Sequence, residues 1–196
     1  MMSLTHIVIG IASSLAICRP RSTEALLPVL AGASVGSIIC DIDCRARVRM
    51  LDRLRGWVIV AGLLTGVLIV DDQYGHPVMN CINGLSPAFL AALFVFLVCA
   101  MIAMGFGHRG FSHSLLAVLI YTGCLYVMVR PVALPFLIAA VSHVVLDLTN
   151  RKPVRILYPM KRGFCLKWFY ADRKANTVFL IAGAAWMGVG LYCMKA

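Results

Sequence analysis

The sequence predicts an all-α protein: a polytopic membrane helix bundle of about five to seven transmembrane or membrane-embedded helices, forming a single domain over residues 1–196. Three observations predict it. Apolar residues make up 61% of the chain and charged residues only 13%, about half the charged share of a soluble domain. The mean hydropathy is +0.90, which describes a chain whose apolar surface faces lipid. Finally, the apolar residues fall into long runs separated by polar or basic connections, as expected of helices that satisfy their own backbone hydrogen bonds in hydrocarbon. The net charge of +10 would suit nucleic acid as a partner. The basic residues lie between apolar runs, however, which is the pattern of a multispanning protein with a positive cytoplasmic side, so membrane lipid is the expected partner and nucleic acid is not.

The runs, in order, are 4–17, 25–39, 57–70, 87–106, 115–129, 132–146 and 176–194. The first three hold about fourteen or fifteen residues, short of the ~17–25 that cross a ~30 Å hydrocarbon layer. They are either extended by flanking residues, re-entrant, or packed inside the bundle. The fourth and the last are long enough to span. Residues 1–18 resemble a signal peptide in length, but no Lys or Arg precedes the apolar run and the first basic residue is Arg19, so the segment is read as retained. Gly32-xxx-Gly36 and Gly62-xxx-Gly66 place small residues at helical spacing, which allows close helix packing in lipid. Glycine is also simply common in membrane helices.

The connections set the topology. Residues 44–56 hold Arg45, Arg47, Arg49, Arg53 and Arg55 against Asp52, and residues 150–175 hold Arg151, Lys152, Arg155, Lys161, Arg162, Lys167, Arg173 and Lys174 against Asp172. Residues 71–86 contain two aspartates and neither Lys nor Arg. The positive-inside tendency puts the two basic connections in the cytoplasm and the acidic one outside; Arg19, Arg21 and Arg130 then fall on the outer side. Counting crossings, out-and-back pairs of segments bring Thr5-His6, Asp41-Ile42-Asp43, the string His108-Arg109-Gly110-Phe111-Ser112-His113-Ser114, and Ser142-His143 with Asp147 to one cytoplasmic face.

Ionisable side chains at membrane depth are costly and tend to mark a site. His143 and Asp147 are four apart, so they share a helix face and can grip one ion. Asp41 and Asp43 flank Ile42 at a helix end and can reach one cation or two adjacent ones. His108 and His113 bracket a turn, with Ser112 expected to cap the next helix. Imidazole with carboxylate suits zinc first, with manganese or iron as alternatives, better than calcium or magnesium. The candidate ligands are His6, Asp41, Asp43, His108, His113, His143 and Asp147, enough for a two-metal site that activates water and clamps a phosphoryl group. Asp43 and His113 are candidates for proton handling, and Arg109 for holding anionic oxygens.

Plainer readings stand beside these. His143 and Asp147 would also serve as a buried hydrogen-bonded couple between helices, Asp41 and Asp43 as turn formers beside arginines, and His6 as an interfacial side chain. His76 beside Pro77 is read as interfacial. The serines lack a GxSxG elbow. Eight cysteines contain no CxxC and many lie in or beside apolar runs, so no disulfide framework is expected, and Cys40 and Cys44 are read as packing or incidental.

In order and spacing, Thr5-His6, Asp41-Ile42-Asp43, the HRGFSHS string at 108–114, and Ser142-His143 with Asp147 resemble the YdjM-like family, bacterial inner-membrane proteins described as LexA-regulated, metal-dependent hydrolases. The resemblance runs from His6 to beyond Pro159. It implies metal binding at Asp41, Asp43, His108, His113, His143 and Asp147, with His6 as a further ligand. A more distant likeness is to zinc-dependent phospholipase C enzymes, whose sites also use His-xxx-acid pairs on helices; this is an analogy of fold. The chain departs from the family at Cys40-Asp41-Ile42-Asp43-Cys44, where Pro-Asp-Ile-Asp-His is frequent, so a thiolate or nothing takes the histidine's place. The function expected is hydrolysis of a phosphoester-type lipid or lipid-linked substrate at the cytoplasmic interface. The alternatives are a metal transporter or sensor built on the same ligands, and a non-enzymatic stress-response bundle.

Overall fold

The computed structural model describes residues 2–43, 47–82, 84–105, 109–170 and 173–193, with side chains at all of these except 47–49, 173 and 193. His108, Cys44, Arg45 and Asp172 lie outside the described residues. Helices form at each apolar run: α1 (Ser3–Cys18), α2 (Thr23–Ile39), α3 (Arg47–Gln73), α4 (Pro87–Gly105), α5 (Leu115–Met128), α6 (Arg130–Thr149) and α7 (Arg173–Cys193). Five stretches are long and apolar enough to cross a membrane: Thr23–Asp43, Met50–Gln73, Pro87–Gly105, Arg130–Thr149 and Lys174–Tyr192. For the second and third runs, extension by flanking residues is therefore the outcome. α1 keeps 16 residues, about 24 Å of helix.

Serines mark the helix starts. Ser22 accepts from the Ala25 N–H at 3.2 Å, Ser86 from Phe89 at 3.2 Å and Ser114 from Ala117 at 3.1 Å, each satisfying a donor that the first turn leaves unpaired. Ser114, not Ser112, thus caps α5, and His113 sits in a separate 3-10 turn, Phe111–His113. Ser112 is turned inward to a carboxylate instead. α1 borrows its cap from another helix: Asp52 of α3 accepts from the Ser3 N–H at 3.0 Å and the Ser3 hydroxyl at 3.1 Å. The one acid in that arginine-rich stretch therefore neutralises the positive end of α1.

α2 and α6 form the inner pair, with 61% and 56% of their spanning windows buried, against 17% for α4 and 11% for α7, which present apolar side chains to lipid. Small residues bring the inner pair together: a Cβ at Gly32 would strike the Val132 carbonyl oxygen, and one at Gly36 the Phe136 carbonyl oxygen. The same spacing on α3 has no such use, because Cβ atoms at Gly62 and Gly66 would meet nothing within 4 Å. α1 lies against α2 and α6, and α7 runs beside α1 in the same direction, with Met2 N donating to Asn176 at 2.8 Å and Gly183 packed on Ile9.

The starts of α1, α3, α5 and α7 and the ends of α2, α4 and α6 share one end of the bundle, the end that carries both basic connections. Over it lies an irregular cap, residues 150–170, fastened through the backbone. Val154 and Phe164 exchange N–H···O bonds of 2.8 and 2.9 Å, Arg155 donates to the Arg109 carbonyl at 3.1 Å, Leu115 to Ile156 at 3.0 Å, and Leu166 to Leu148 at 2.7 Å. At the opposite end the chain turns through Asp71, whose carboxylate accepts from the N–H groups of Val78 at 2.6 Å and Met79 at 3.2 Å.

Candidate metal centre

Four chain-distant elements deliver side chains to one buried point at the basic end. From α1, one turn beyond the Asp52-capped start, comes His6, 1% exposed. The end of α2 tightens into the 3-10 turn Cys40–Asp43. At three residues per turn its two aspartates point in different directions. Asp41 faces the histidines, with Oδ1 at 3.8 Å from His113 Nε2 and 3.7 Å from His143 Nε2. Asp43 turns behind His113, where its Oδ2 accepts from the Ser112 hydroxyl at 2.6 Å and the Arg109 N–H at 3.2 Å, and lies 3.6 Å from His113 Nδ1.

The turn before α5 supplies Arg109 and His113. Arg109 has φ 66°, a left-handed backbone unusual for a residue with a side chain. It is held there by the bonds of its N–H to Asp43 and its carbonyl to Arg155. Its guanidinium donates to the Lys152 carbonyl and forms an ion pair with Asp147 Oδ1 at 2.9 Å. From α6 come His143 and, one turn later, Asp147. Asp147 Oδ2 is 3.5 Å from His113 Nε2, and Oδ1 is 3.8 Å from His6 Nε2. The His6 and His143 rings stack with centroids 3.7 Å apart and planes at 14°, while His113 meets His143 edge-on at 5.3 Å.

The protonation of His143 follows from its partner. Nδ1 lies 2.6 Å from the Ser37 carbonyl oxygen, which can only accept. Nδ1 therefore carries the hydrogen and Nε2 offers a lone pair to the centre. That Nε2 and both ring nitrogens of His6 are buried without a hydrogen-bond partner among the described residues. Burying such groups unpaired is costly; the acceptor nitrogens are the kind of lone pair a divalent cation can take up. His113 lies outside the spanning helices. Its burial disfavours the imidazolium, but the carboxylates of Asp147 and Asp43 outweigh that and hold its pKa at about 9, so His113 would have to release that proton to ligate a metal.

Two sets of side chains offer donor atoms within 4.8 Å of one another: His6, Asp41 and His143, and His113, His143 and Asp147. Three imidazoles and two carboxylates fit zinc, manganese or iron rather than the all-oxygen shells of calcium and magnesium. Of the candidate ligands, His6, Asp41, His113, His143 and Asp147 converge. Asp43 stands behind His113 and Arg109 behind Asp147. His108 and Cys44 lie outside the described residues. Cys40 is fully buried in the apolar cluster with Phe111, Tyr121 and Val144, and its thiol is free, as are those of Cys18, Cys81, Cys99, Cys124 and Cys165. His76 is at the other end of the bundle, half exposed beside Asp71 and Asp72.

Three contributors were not singled out in the sequence for these parts: the Ser37 and Lys152 carbonyls, and the Ser112 hydroxyl as donor to Asp43. Carbonyls leave no mark in a sequence. The only hint for Ser112 is that Ser114, two residues on, is equally able to cap. Neither a curated protein nor a solved structure matches this chain. The sequence model of the YdjM inner membrane protein family matches residues 1–195, so the chain belongs to that family and is a multi-pass protein of the inner membrane.

Proposed function

We propose that the chain is a divalent-metal-dependent hydrolase, with zinc the preferred ion, acting on phosphoester groups of a lipid or lipid-linked substrate at the cytoplasmic face. The observation that carries this reading is the convergence of His6, Asp41, His113, His143 and Asp147, brought from four elements, with the His6 ring nitrogens and His143 Nε2 lacking a hydrogen-bond partner among the described residues. The arrangement favours one ion over two. Both donor sets need His143, whose Nδ1 is committed to Ser37, so Nε2 alone is available and the sets describe one shared position.

A bound divalent ion would lower the pKa of a water molecule and polarise a phosphoryl oxygen. The chain's own groups do the rest. His113, His143 and Asp147, all buried, are the rigid ligands. Asp43 and Ser112 orient His113, in the way that carboxylates orient metal-ligating histidines. Arg109 holds Asp147 Oδ1 so that Oδ2 faces the centre; breaking such a buried pair is costly. Asp41 is the most exposed of the set, with 15% of its side chain accessible, and it is placed to take a proton from the attacking water and return it to the departing alcohol. The basic connections at this end support a site at headgroup depth on the cytoplasmic side.

The test uses the full chain purified in a neutral detergent. Metal analysis is expected to find about one zinc, manganese or iron per chain, falling to background in His143→Ala and Asp147→Asn, with hydrolysis of phosphoester lipids in mixed micelles lost in parallel. Metal retained in both variants sinks the metal site. Metal bound and carried into proteoliposomes with no hydrolysis would make the chain a transporter.

A further inference from the structure

The opposite end of the bundle holds a second feature that the metal centre does not use. α1 and α7 run side by side, but α1 ends at Cys18 while α7 continues to Cys193. Where α1 stops, a cavity of about 500 Å³ opens, lined by Leu15, Arg19, Arg21, Trp186, Val189 and Gly190 among others. Its lining is sorted by polarity. Leu15, Trp186 and Val189 come from within the helices, and Arg19 and Arg21 from the α1–α2 connection at the rim.

These arginines run against the charge pattern of the rest of the chain, being basic residues at the end that the positive-inside tendency leaves poor in Lys and Arg. Both are exposed, and no ion pair joins either to a carboxylate among the described residues. Arg19 donates through Nε to the Ala16 carbonyl at 3.3 Å, and both Arg19 and Arg21 line the cavity. The cavity lies within the usual size range of ligand sites. An apolar wall with guanidinium groups at its lip matches a molecule with an acyl chain below a phosphate.

We propose that this cavity holds one anionic phospholipid of the outer leaflet, with Arg19 and Arg21 on the headgroup phosphate and the first acyl carbons against Leu15, Trp186 and Val189. Guanidinium is suited to this role because it meets phosphate oxygens through paired N–H donors. The lipid fills the space that α1, being short, leaves beside α7.

The test is native mass spectrometry of the full chain in neutral detergent, titrated separately with phosphatidylglycerol, phosphatidylcholine and inorganic phosphate. Wild type is expected to retain one phosphatidylglycerol per chain in clear preference to phosphatidylcholine. In Arg19→Gln/Arg21→Gln that retention should be about tenfold weaker, from the loss of charge-assisted hydrogen bonds. A second variant, Gly190→Leu, fills the cavity and leaves both arginines in place. A Cβ at 190 meets only the Leu15 Cβ, at 3.5 Å, so folding should be kept and lipid retention lost. Equal retention of the two lipids, wild-type retention in either variant, or saturation by inorganic phosphate alone would overturn the proposal.

Discussion

Both ends of this bundle carry a histidine and an aspartate four residues apart, and they serve opposite purposes. At the basic end, His143 and Asp147 are buried in α6 and meet His6, Asp41 and His113 from three other elements. At the opposite end, Asp72 and His76 face each other within a local turn, with His76 Nε2 3.6 Å from Asp72 Oδ1 and 49% of the His76 side chain exposed. Their neighbour Asp71 is fully buried, but its carboxylate is occupied by backbone N–H groups two turns on. A carboxylate saturated by nearby backbone is a turn former. A set of donors drawn from distant parts of the chain, with the His6 ring nitrogens and His143 Nε2 lacking hydrogen-bond partners among the described residues, has no such local role, and the proposed cation site rests on it.

The sharpest way to break the comparison is to disturb the helix pair that assembles the inner set. Gly36→Leu would drive a side chain into the Phe136 backbone, which cannot yield. It is expected to cost more than the ~1–3 kcal/mol typical of overpacking, removing folded protein and metal together. Gly66→Leu, facing open space, should leave both near wild type. Yield of monodisperse protein and thermal unfolding in detergent measure the contrast.

Next in size, His143→Ala should take metal content from about one ion per chain to background, because it deletes a donor shared by both sets. Asp72→Ala/His76→Ala should leave metal content unchanged. If the outer pair variant lost metal and His143→Ala did not, the assignment of roles to the two ends would be reversed. A smaller effect is expected from Asp43→Asn, which weakens the orientation of His113 and leaves all five converging donors in place. Metal affinity should fall roughly 10–100-fold, the usual size for a group one shell out, read by competition with a fluorescent chelator. The smallest effect belongs to Asp71→Ala. It should lower stability by about 1–3 kcal/mol, the cost of leaving the Val78 and Met79 N–H groups without their acceptor, while metal content stays at the wild-type level.

Particular residues show how far the sequence reaches. Ser22, Ser86 and Ser114 cap the helices that follow them, as local chemistry requires, and Arg130-Pro131 begins α6 at the break between the fifth and sixth apolar runs. Ser112 shows the limit: two serines two residues apart have equal capping ability, and the choice was made by Asp43, which arrives from another part of the chain to accept the Ser112 hydroxyl. Gly32-xxx-Gly36 and Gly62-xxx-Gly66 are indistinguishable on paper, yet only the first pair faces a helix. His6, which reads equally well as an interfacial side chain, joins the centre because Asp52 and Asn176 pin the start of α1.

By itself, the sequence determined that this is an α-helical, multi-pass membrane protein, and that His6, Asp41, Asp43, Arg109, His113, His143 and Asp147 share one face. Apolar run length, helix periodicity and the placement of Lys and Arg act locally and need no knowledge of neighbours. The tertiary structure alone decided which of those motifs meet, which aspartate faces the centre and which stands behind, and which ring nitrogens are left without a hydrogen-bond partner. Those outcomes depend on how closely α2 and α6 approach and on how tightly the turn at Cys40–Asp43 winds, distances that arise only when elements far apart in the chain are packed together.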